Sequence, residues 1–461
     1  MSIDLSLDRI RKLLNHLPVP YTRPTIHVAG TNGKGSVCAL VASILTAASP
    51  PLVVGRFNSP HLLSPLDGIS VGGKPIDQDI FMQARGEVRR INDERTLGAT
   101  MFELYTCFAL LIFERLKVDV VVLEVGMGGR LDATNVVPDD NILVSALTSV
   151  DLDHQAFLGN TIEDITREKA AIARAGKPFV IGPQVQPQVD ATARSVVNSL
   201  AGELAATCIV STVEWDVDLD GAIPRTQGGI QVPFFQPVHI YPPSHTDPIR
   251  ALLPLQGEHQ VDNLRTAMGI ISALQTHPSS EHSGLNFQQR LTPDAISRGI
   301  RATRWPGRLS YHTISLPPDI LVLADGAHNP AAATAVGAYI ASVLDKDNLA
   351  RKRKDVRLGV ALLPFTPPLN MPWIKFVPPP DVRKAVVESL SGAAADTLAP
   401  APTHAEPPRT EHVEEALRWA AGRRREGEDA FVVLSGSLYL VADFYRLLEK
   451  LGQAQEIWGA N

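Results

Sequence analysis

The sequence predicts an α/β fold: a doubly wound, mostly parallel sheet with a small β insertion, then a smaller Rossmann-like α/β domain. Three observations predict it. Between residues 26 and 182, short apolar runs alternate with longer stretches of helical spacing. The stretches 117–125 and 141–150 have continuous apolar centres, residues 120–123 and 142–144, as strands covered on both faces do. The first run leads into Gly30-Thr31-Asn32-Gly33-Lys34-Gly35-Ser36, and a helical pattern follows it. Strand, glycine loop and helix together form a phosphate cradle, because loop amides and the helix N-terminus both favour an anion.

Each element follows in order. Leu5, Leu7, Ile10, Leu13, Leu14 and Leu17 put an apolar stripe on a first helix, which Pro18 and Pro20 end. Ile26 to Ala29 is a buried strand, and the helix after the glycine loop runs until Pro50 and Pro51. Residues 52–57 form a second strand, closing on Asn58-Ser59-Pro60-His61. Helices near 77–92 and 100–116 lead to the strand 117–125, with Glu124 at its end and GMGGRLDATN (126–135) after it. The strand 141–150 ends in Asp151-Leu152-Asp153-His154, and a helix over 161–175 precedes a strand at 178–182. Residues 205–255 lose helical period and gain Gly and Pro, which marks the β insertion. A strong helix over 258–274 closes a first domain, residues 1–290. The second, 291–461, holds a Trp305-Pro306-Gly307-Arg308 turn, a strand at 320–330 and a helix at 331–345. An Ala/Pro-rich loop at 391–408 and a strand at 431–437 with a helix after it complete the domain. The active site is expected in the cleft between the two domains.

Composition narrows the function classes. The net charge is −6, so no global basic field favours nucleic acid. The one strong basic cluster, Arg351 to Lys354, suits a solvated loop. Cys38, Cys107 and Cys208 have no metal-ligand spacing and fit structural thiols in a reducing compartment. The N-terminus lacks a signal-peptide core, and no apolar run is long enough to span a bilayer. A cytoplasmic protein without membrane or nucleic-acid partners is expected, with a minor mitochondrial pool left open.

Several residues carry possible chemistry. Lys34 supplies a point charge at the loop, and the Ser36 hydroxyl suits a magnesium ion. The generic phosphate-loop pattern puts Ser or Thr directly after the Lys, and here Gly35 intervenes. Glu124 ends a strand beside the loop-bearing one, where a carboxylate meets nucleotide-bound magnesium or else is merely solvated. His154 lies at a strand's carboxyl end between acidic neighbours, a metal or phosphate position in open α/β sheets. Ser59 sits on the same rim and on its own reads as a cap or turn residue. Lys169, in Arg-Glu-Lys-Ala-Ala, reads on its own as a surface lysine, and spacing does not place Arg308 or Asp325 on the nucleotide.

Taken together, VAGTNGKGS, NSPHL, TMFE (100–103), LEVGMGGRLDATN, DLDHQAFLG, REKAAI, HQVDN, WPGR and DGAHNP run in order over almost the whole chain. This set resembles the folylpolyglutamate synthase and dihydrofolate synthase branch of the Mur ligase superfamily. LSLDRIRKLLNHL, MPWI (371–374) and GSLYL (436–440) are most similar to its fungal dihydrofolate synthetases. The resemblance implies a Mur ligase-like ATPase domain and an ATP-dependent ligase joining 7,8-dihydropteroate to L-glutamate. A folylpolyglutamate synthase acting on tetrahydrofolate, a bifunctional enzyme and a non-catalytic nucleotide-binding relative are the alternatives. It further implies ATP contacts at Thr31, Asn32, Gly33, Lys34, Gly35, Ser36, Asn263, Arg308 and Asp325. Magnesium ligands are implied at Ser59, Glu124 and His154, and carbamoylation at Lys169, with Lys34, Glu124, His154 and Lys169 the catalytic set. The substrate side falls on Thr100, Met101, Phe102, Glu103, Leu131, Asp132 and Ala133, with His328 and Asn329 lining the closed site. A monomer acting on small molecules is expected.

One departure from the family stands out. Relatives carry a helix and a strand between the strand matching 355–363 and their MPW segment, whereas here only Pro-rich 364–370 intervenes. Seven residues with three prolines cannot supply a parallel crossover, so the second domain is expected to lack one strand–helix unit.

Overall fold

The computed structural model describes residues 6–213, 225–227, 230–232, 235–243, 247–316, 319–351, 358–359, 363, 395–396, 409–422 and 431–458. The chain forms two compact units. The first comprises Met1–Trp215, Gln236–Pro254 and Glu258–Thr303, and the second Asp216–Phe235, Leu255–Gly257 and Arg304–Asn461.

The first unit opens with helix α1 (Asp8–Asn15), which buries Ile10 and Leu13. Strand β1 (Thr25–Ala29) is wholly buried and feeds helix α2 (Lys34–Thr46). Strands β2 (Val54–Phe57), β3 (Ile69–Val71) and β4 (Lys74–Pro75) follow, then helices α3 (Gln78–Glu94) and α4 (Met101–Arg115). Strand β5 (Val120–Glu124), strand β6 (Ile142–Leu147), the short helix α5 (Gln155–Leu158) and helix α6 (Ile162–Ala170) come next. Strand β7 (Pro178–Ile181), helix α7 (Pro187–Ser199) and strand β8 (Glu203–Ala205) complete the main layer.

These strands form one eight-stranded sheet in the order β4-β3-β2-β5-β1-β6-β7-β8. It is parallel from β2 to β8, and only the β3 and β4 edge is antiparallel. Strand β1 sits near the middle, with Val28 opposite Glu124 of β5 and Ala29 opposite Leu147 of β6. Strands β1, β5 and β6 are buried at every position, which explains why their apolar residues do not alternate with polar ones. Each such Val, Leu or Ile contributes about 1.5–3 kcal/mol. Because β2, β5, β1 and β6 run parallel, the segments starting at Gly30, Asn58, Val125 and Thr148 all leave one edge of the sheet.

The expected β insertion is present. Strands β9 (Ile209–Thr212), β12 (Gln236–Tyr241) and β13 (Ile249–Leu253) form an antiparallel sheet, and β10 (Arg225–Gln227) pairs with β11 (Ile230–Val232). Helix α8 (Glu258–Thr276) packs on β6, β7 and β9. The helix Pro293–Ala302 packs on α2 and β13 and so belongs to the first unit. Helix α6 stops at Ala170 rather than at 175. The amide of Arg130 takes the Glu168 carbonyl at 2.9 Å, a bond that continuing helix would have used.

The second unit holds strand β14 (Ser310–Ile314), antiparallel to β15 (Ile320–Ala324). A two-residue ladder joins β16 (Leu358–Gly359) to β17 (Ala395–Asp396), and β18 (Phe431–Leu434) runs parallel to β15. Leu321, Leu323, Val336, Tyr339 and Val343 make its core with the helix Pro330–Arg351. The segment 364–370, the MPWI stretch and the expected missing strand–helix unit lie outside the described residues. Among the described residues, no helix is long and apolar enough to cross a membrane.

Candidate active site

The phosphate loop is built by close approach. Gly30 has φ +150, and a Cβ there would meet Thr148 Oγ1 at 1.9 Å. Gly33 is left-handed, with φ +87, and a Cβ would meet Asn263 Oδ1 at 2.1 Å. So Asn263, 230 positions away, is packed against the loop. The Thr31 and Asn32 amides both donate to the Ser149 carbonyl, at 2.8 and 3.1 Å. Thr31 Oγ1 also exchanges 3.1 Å bonds with the Asp151 backbone, tying the loop to Asp151-Leu152-Asp153-His154. The first bond inside α2 is Val37 N–H to Gly33 at 2.9 Å, which leaves the amides of Lys34, Gly35 and Ser36 for an anion. Lys34 Nζ donates to the Thr31 carbonyl at 3.1 Å, folded over its own loop.

Beside the loop, Glu124 ends β5 and is 5 % exposed. Its Oε2 accepts from Asn58 Nδ2 at 2.7 Å and from the Ser59 amide at 3.4 Å, so Glu124 and Ser59 do meet. His154 is left-handed (φ 51), half-exposed, and 3.8 Å from Asp153 Oδ2. Among the described residues no three His, Cys, Asp or Glu side chains converge on a metal position. Magnesium needs no such cage: it binds through one or two carboxylates and completes its shell with water and phosphate oxygens. A buried carboxylate beside a serine and beside an unpartnered buried amide oxygen, Asn58 Oδ1, fits that donor chemistry.

Lys169 is not a surface lysine. It is 2 % exposed, and Nζ donates to the Gly30 carbonyl at 3.0 Å, at the foot of the phosphate loop. Burial chiefly, and Lys34 secondarily, lower its pKa to about 7, while Asp153 and Asp132 oppose them. Gly129 and Arg130 pack against the end of its helix. A Cβ on Gly129 would lie 2.6 Å from the Glu168 carbonyl and 2.8 Å from that of Lys169, and Arg130 pairs with Glu168 at 2.9 Å.

The expected substrate-side residues have structural partners. Thr100 and Glu103 form a capping box on α4, and Glu103 also meets Arg9 at 3.3 Å. Met101 is exposed, and a Cβ on Gly126 would lie 2.3 Å from the Phe102 ring. Asp132 accepts from the Met127 amide and from the Thr134 amide and hydroxyl, at 2.8, 2.9 and 2.5 Å. Burial raises its pKa. The turn Ala133–Val136 follows, with Ala133 buried and Leu131 half-buried.

Four assigned residues lie together in the second unit. Asp325 is buried and accepts from the Leu309 and Ala327 amides, both at 2.8 Å. Arg308 donates to the Gly307 carbonyl at 2.8 Å, and His328 Nδ1 to that of Gly326 at 2.9 Å. Asn329 Oδ1 accepts from Ala332 at 2.9 Å, capping the helix that begins at Pro330.

Sequence reasoning did not single out Asn58 or Asp67. Asp67 gathers the amides of Leu62, Leu63 and Ser64 at 2.7–2.8 Å and so shapes the loop after Ser59. The Asp three residues after Ser64 is the sequence signal for that turn.

Known proteins are similar to this chain in sequence and in fold. Residues 28–271 match the model of the Mur ligase middle domain, and residues 347–447 that of the dihydrofolate synthetase C-terminal domain. The dihydrofolate synthetase of Saccharomyces cerevisiae is 32% identical over 97% of this chain and 98% of its own. The dihydrofolate synthase/folylpolyglutamate synthase of Escherichia coli is 34% identical over 72% of this chain and 67% of its own. Two solved structures are similar in fold. The apo form of L. casei FPGS has a TM-score of 0.72 at 26% identity, covering 97% of this chain and 96% of that one. E. coli FolC in complex with DHPP and ADP has a TM-score of 0.67 at 27% identity, covering 98% and 95%.

Proposed function

The chain belongs to the dihydrofolate synthetase and folylpolyglutamate synthase family of Mur ligases, ATP-dependent ligases of folate metabolism, and we propose that it joins L-glutamate to 7,8-dihydropteroate. The similarity to fungal dihydrofolate synthetases over nearly the full chain supports that substrate choice. The observation that carries the chemistry is the buried Lys169 amine on Gly30, directly beneath the phosphate loop and beside its cation Lys34.

A pteroate carboxylate oxygen attacks the γ-phosphorus of ATP, and the bond to ADP breaks. The acyl phosphate's carbonyl carbon then takes the glutamate amine, and phosphate leaves as the nitrogen loses its proton. Several anions meet in this sequence, so the protein's task is to neutralise charge and hold geometry. The amides of Lys34, Gly35 and Ser36 hold the phosphates, with Lys34 Nζ swinging from Thr31 onto them. Asn263 lies against Gly33 on the nucleotide side. Magnesium, held by Ser59, Glu124 and His154, would supply further charge neutralisation when bound.

Lys169 acts as a carbamate. With a pKa of about 7, half of its amine is neutral at neutral pH and adds to carbon dioxide with loss of one proton. The carboxylate-like product replaces a buried cation with an anion facing the metal side. Met101, Phe102 and the loop 126–134 form the pterin side. Within the second unit, Arg308 and Asp325 are the proposed ATP contacts and His328 and Asn329 the proposed substrate contacts. The enzyme works as a cytoplasmic monomer.

The E. coli relative carries both activity names, which makes tetrahydrofolate extension the second reading. Initial rates with ATP, glutamate and either dihydropteroate or tetrahydrofolate test the choice. Dihydropteroate is expected to be preferred by about tenfold or more in kcat/KM. A preference for tetrahydrofolate would overturn this reading, and no ATP consumption with either would overturn the ligase assignment of its residues.

A further inference from the structure

We infer that Asn58 is a positioning residue for the reaction: its side-chain amide fixes the Glu124 carboxylate in the orientation that the nucleotide's magnesium requires. The inference rests on the reading of Glu124 as a magnesium ligand and adds a residue to it.

Three observations carry it. Asn58 is 2 % exposed, and its Nδ2 donates to Glu124 Oε2 at 2.7 Å, the shortest contact to that carboxylate given above. The Ser59 amide, 3.4 Å away, approaches the same oxygen. Two donors on one oxygen stop the carboxylate from rotating and set its other oxygen on the opposite side. The orientation of the Asn58 amide is fixed too, since its oxygen would repel the carboxylate if the group were flipped. That oxygen, Oδ1, is buried and has no hydrogen-bond partner. An unsatisfied buried acceptor costs about 1–3 kcal/mol. That cost is offset at this position by the bond that the same amide donates to the buried Glu124 carboxylate. Its backbone is held as firmly: the Asn58 amide donates to the Gly68 carbonyl at 2.8 Å, closing the loop that Asp67 shapes from within. The side chain is thus anchored from the loop that bears Ser59 and reaches across to the strand that bears Glu124, holding two assigned ligands in register.

The test compares the wild type with Asn58→Leu and Glu124→Gln. Each protein is saturated with ADP, and its melting temperature is followed as magnesium is added. ADP affinity without magnesium is measured separately by calorimetry. Asn58→Leu keeps the volume and removes the donor. Its half-saturating magnesium concentration should rise about tenfold, or about 1.4 kcal/mol. Metal-free ADP affinity should stay within about twofold of wild type. A merely structural role would lower the melting temperature throughout and leave the magnesium midpoint in place. A Leu variant with an unmoved midpoint, beside a Glu124→Gln protein with a shifted one, overturns the inference. A Glu124→Gln protein with an unmoved midpoint overturns the metal reading itself, and the inference with it. If the leucine protein does not fold, Asn58→Ala decides by the same criterion.

Discussion

Replacing Lys169 by Met probes the most costly group in the site. Burial holds the lysine near 7 against its ordinary 10.5, so the folded state disfavours the charged form. The sign follows. Below pH 7 both folded and unfolded chains carry the charge, and the folded one bears the whole penalty. Between pH 7 and 10.5 the unfolded chain binds more protons than the folded one, so stability rises with pH. Above 10.5 both are neutral and the penalty is gone. The full gap corresponds to about 5 kcal/mol, of which about 2 kcal/mol falls between pH 7 and pH 9. Lys169→Met abolishes this dependence, along with the 3.0 Å bond to Gly30. Urea unfolding of both proteins at pH 7 and pH 9, in buffer freed of carbon dioxide, measures it. Going from pH 7 to 9, the wild type should gain about 2 kcal/mol on the variant. Parallel pH dependences would refute the buried, depressed amine. The same wild-type protein should lose activity in that buffer and regain it with bicarbonate, whereas Lys169→Met should respond to neither.

Two further outcomes follow from the geometry. Lys34→Ala should lower turnover by about a thousandfold with an unchanged circular dichroism spectrum, and a variant keeping a tenth of wild-type turnover would remove Lys34 from its role. Gly126→Ala would drive a methyl to 2.3 Å from the Phe102 ring, so KM for the pterin substrate should rise about tenfold while KM for ATP holds. Adding Phe102→Leu should restore much of the loss, and no restoration would show that the ring is not the obstacle.

The sheet was legible because β1, β5 and β6 are buried on both faces, which leaves short apolar stretches such as 120–123 and 142–144 without polar alternation. The phosphate loop was legible from its glycines, since positions without room for a Cβ must be Gly. Lys169 was harder. Its neighbours Arg167 and Glu168 point to solvent, yet Ile162, Ile165, Thr166 and Lys169 share the buried face of α6, a helical spacing that does place the lysine inward. The capping box of Thr100 and Glu103 is a four-residue pattern with its own local purpose, so the pattern alone says nothing about a pterin. Asn58 appears only as the first residue of NSPHL, and nothing local in the sequence gives its partner. Its partner Glu124 is 66 positions away, and only the sheet order β2-β5 makes them neighbours.

The packing of Gly129 on the carbonyls of Glu168 and Lys169 limits how this enzyme can be altered. At Gly129 the loop 126–134 meets the backbone carbonyls at the end of helix α6, which cannot give way as the tip of a flexible side chain can. A loop transplanted from a relative to change pterin preference would carry its own trajectory at that contact. Any shift there would move the Lys169 amine off the Gly30 carbonyl. A chimaera that exchanges the loop must therefore exchange residues 161–175 with it, or lose the Gly129 contact and the Lys169 bond to Gly30 together.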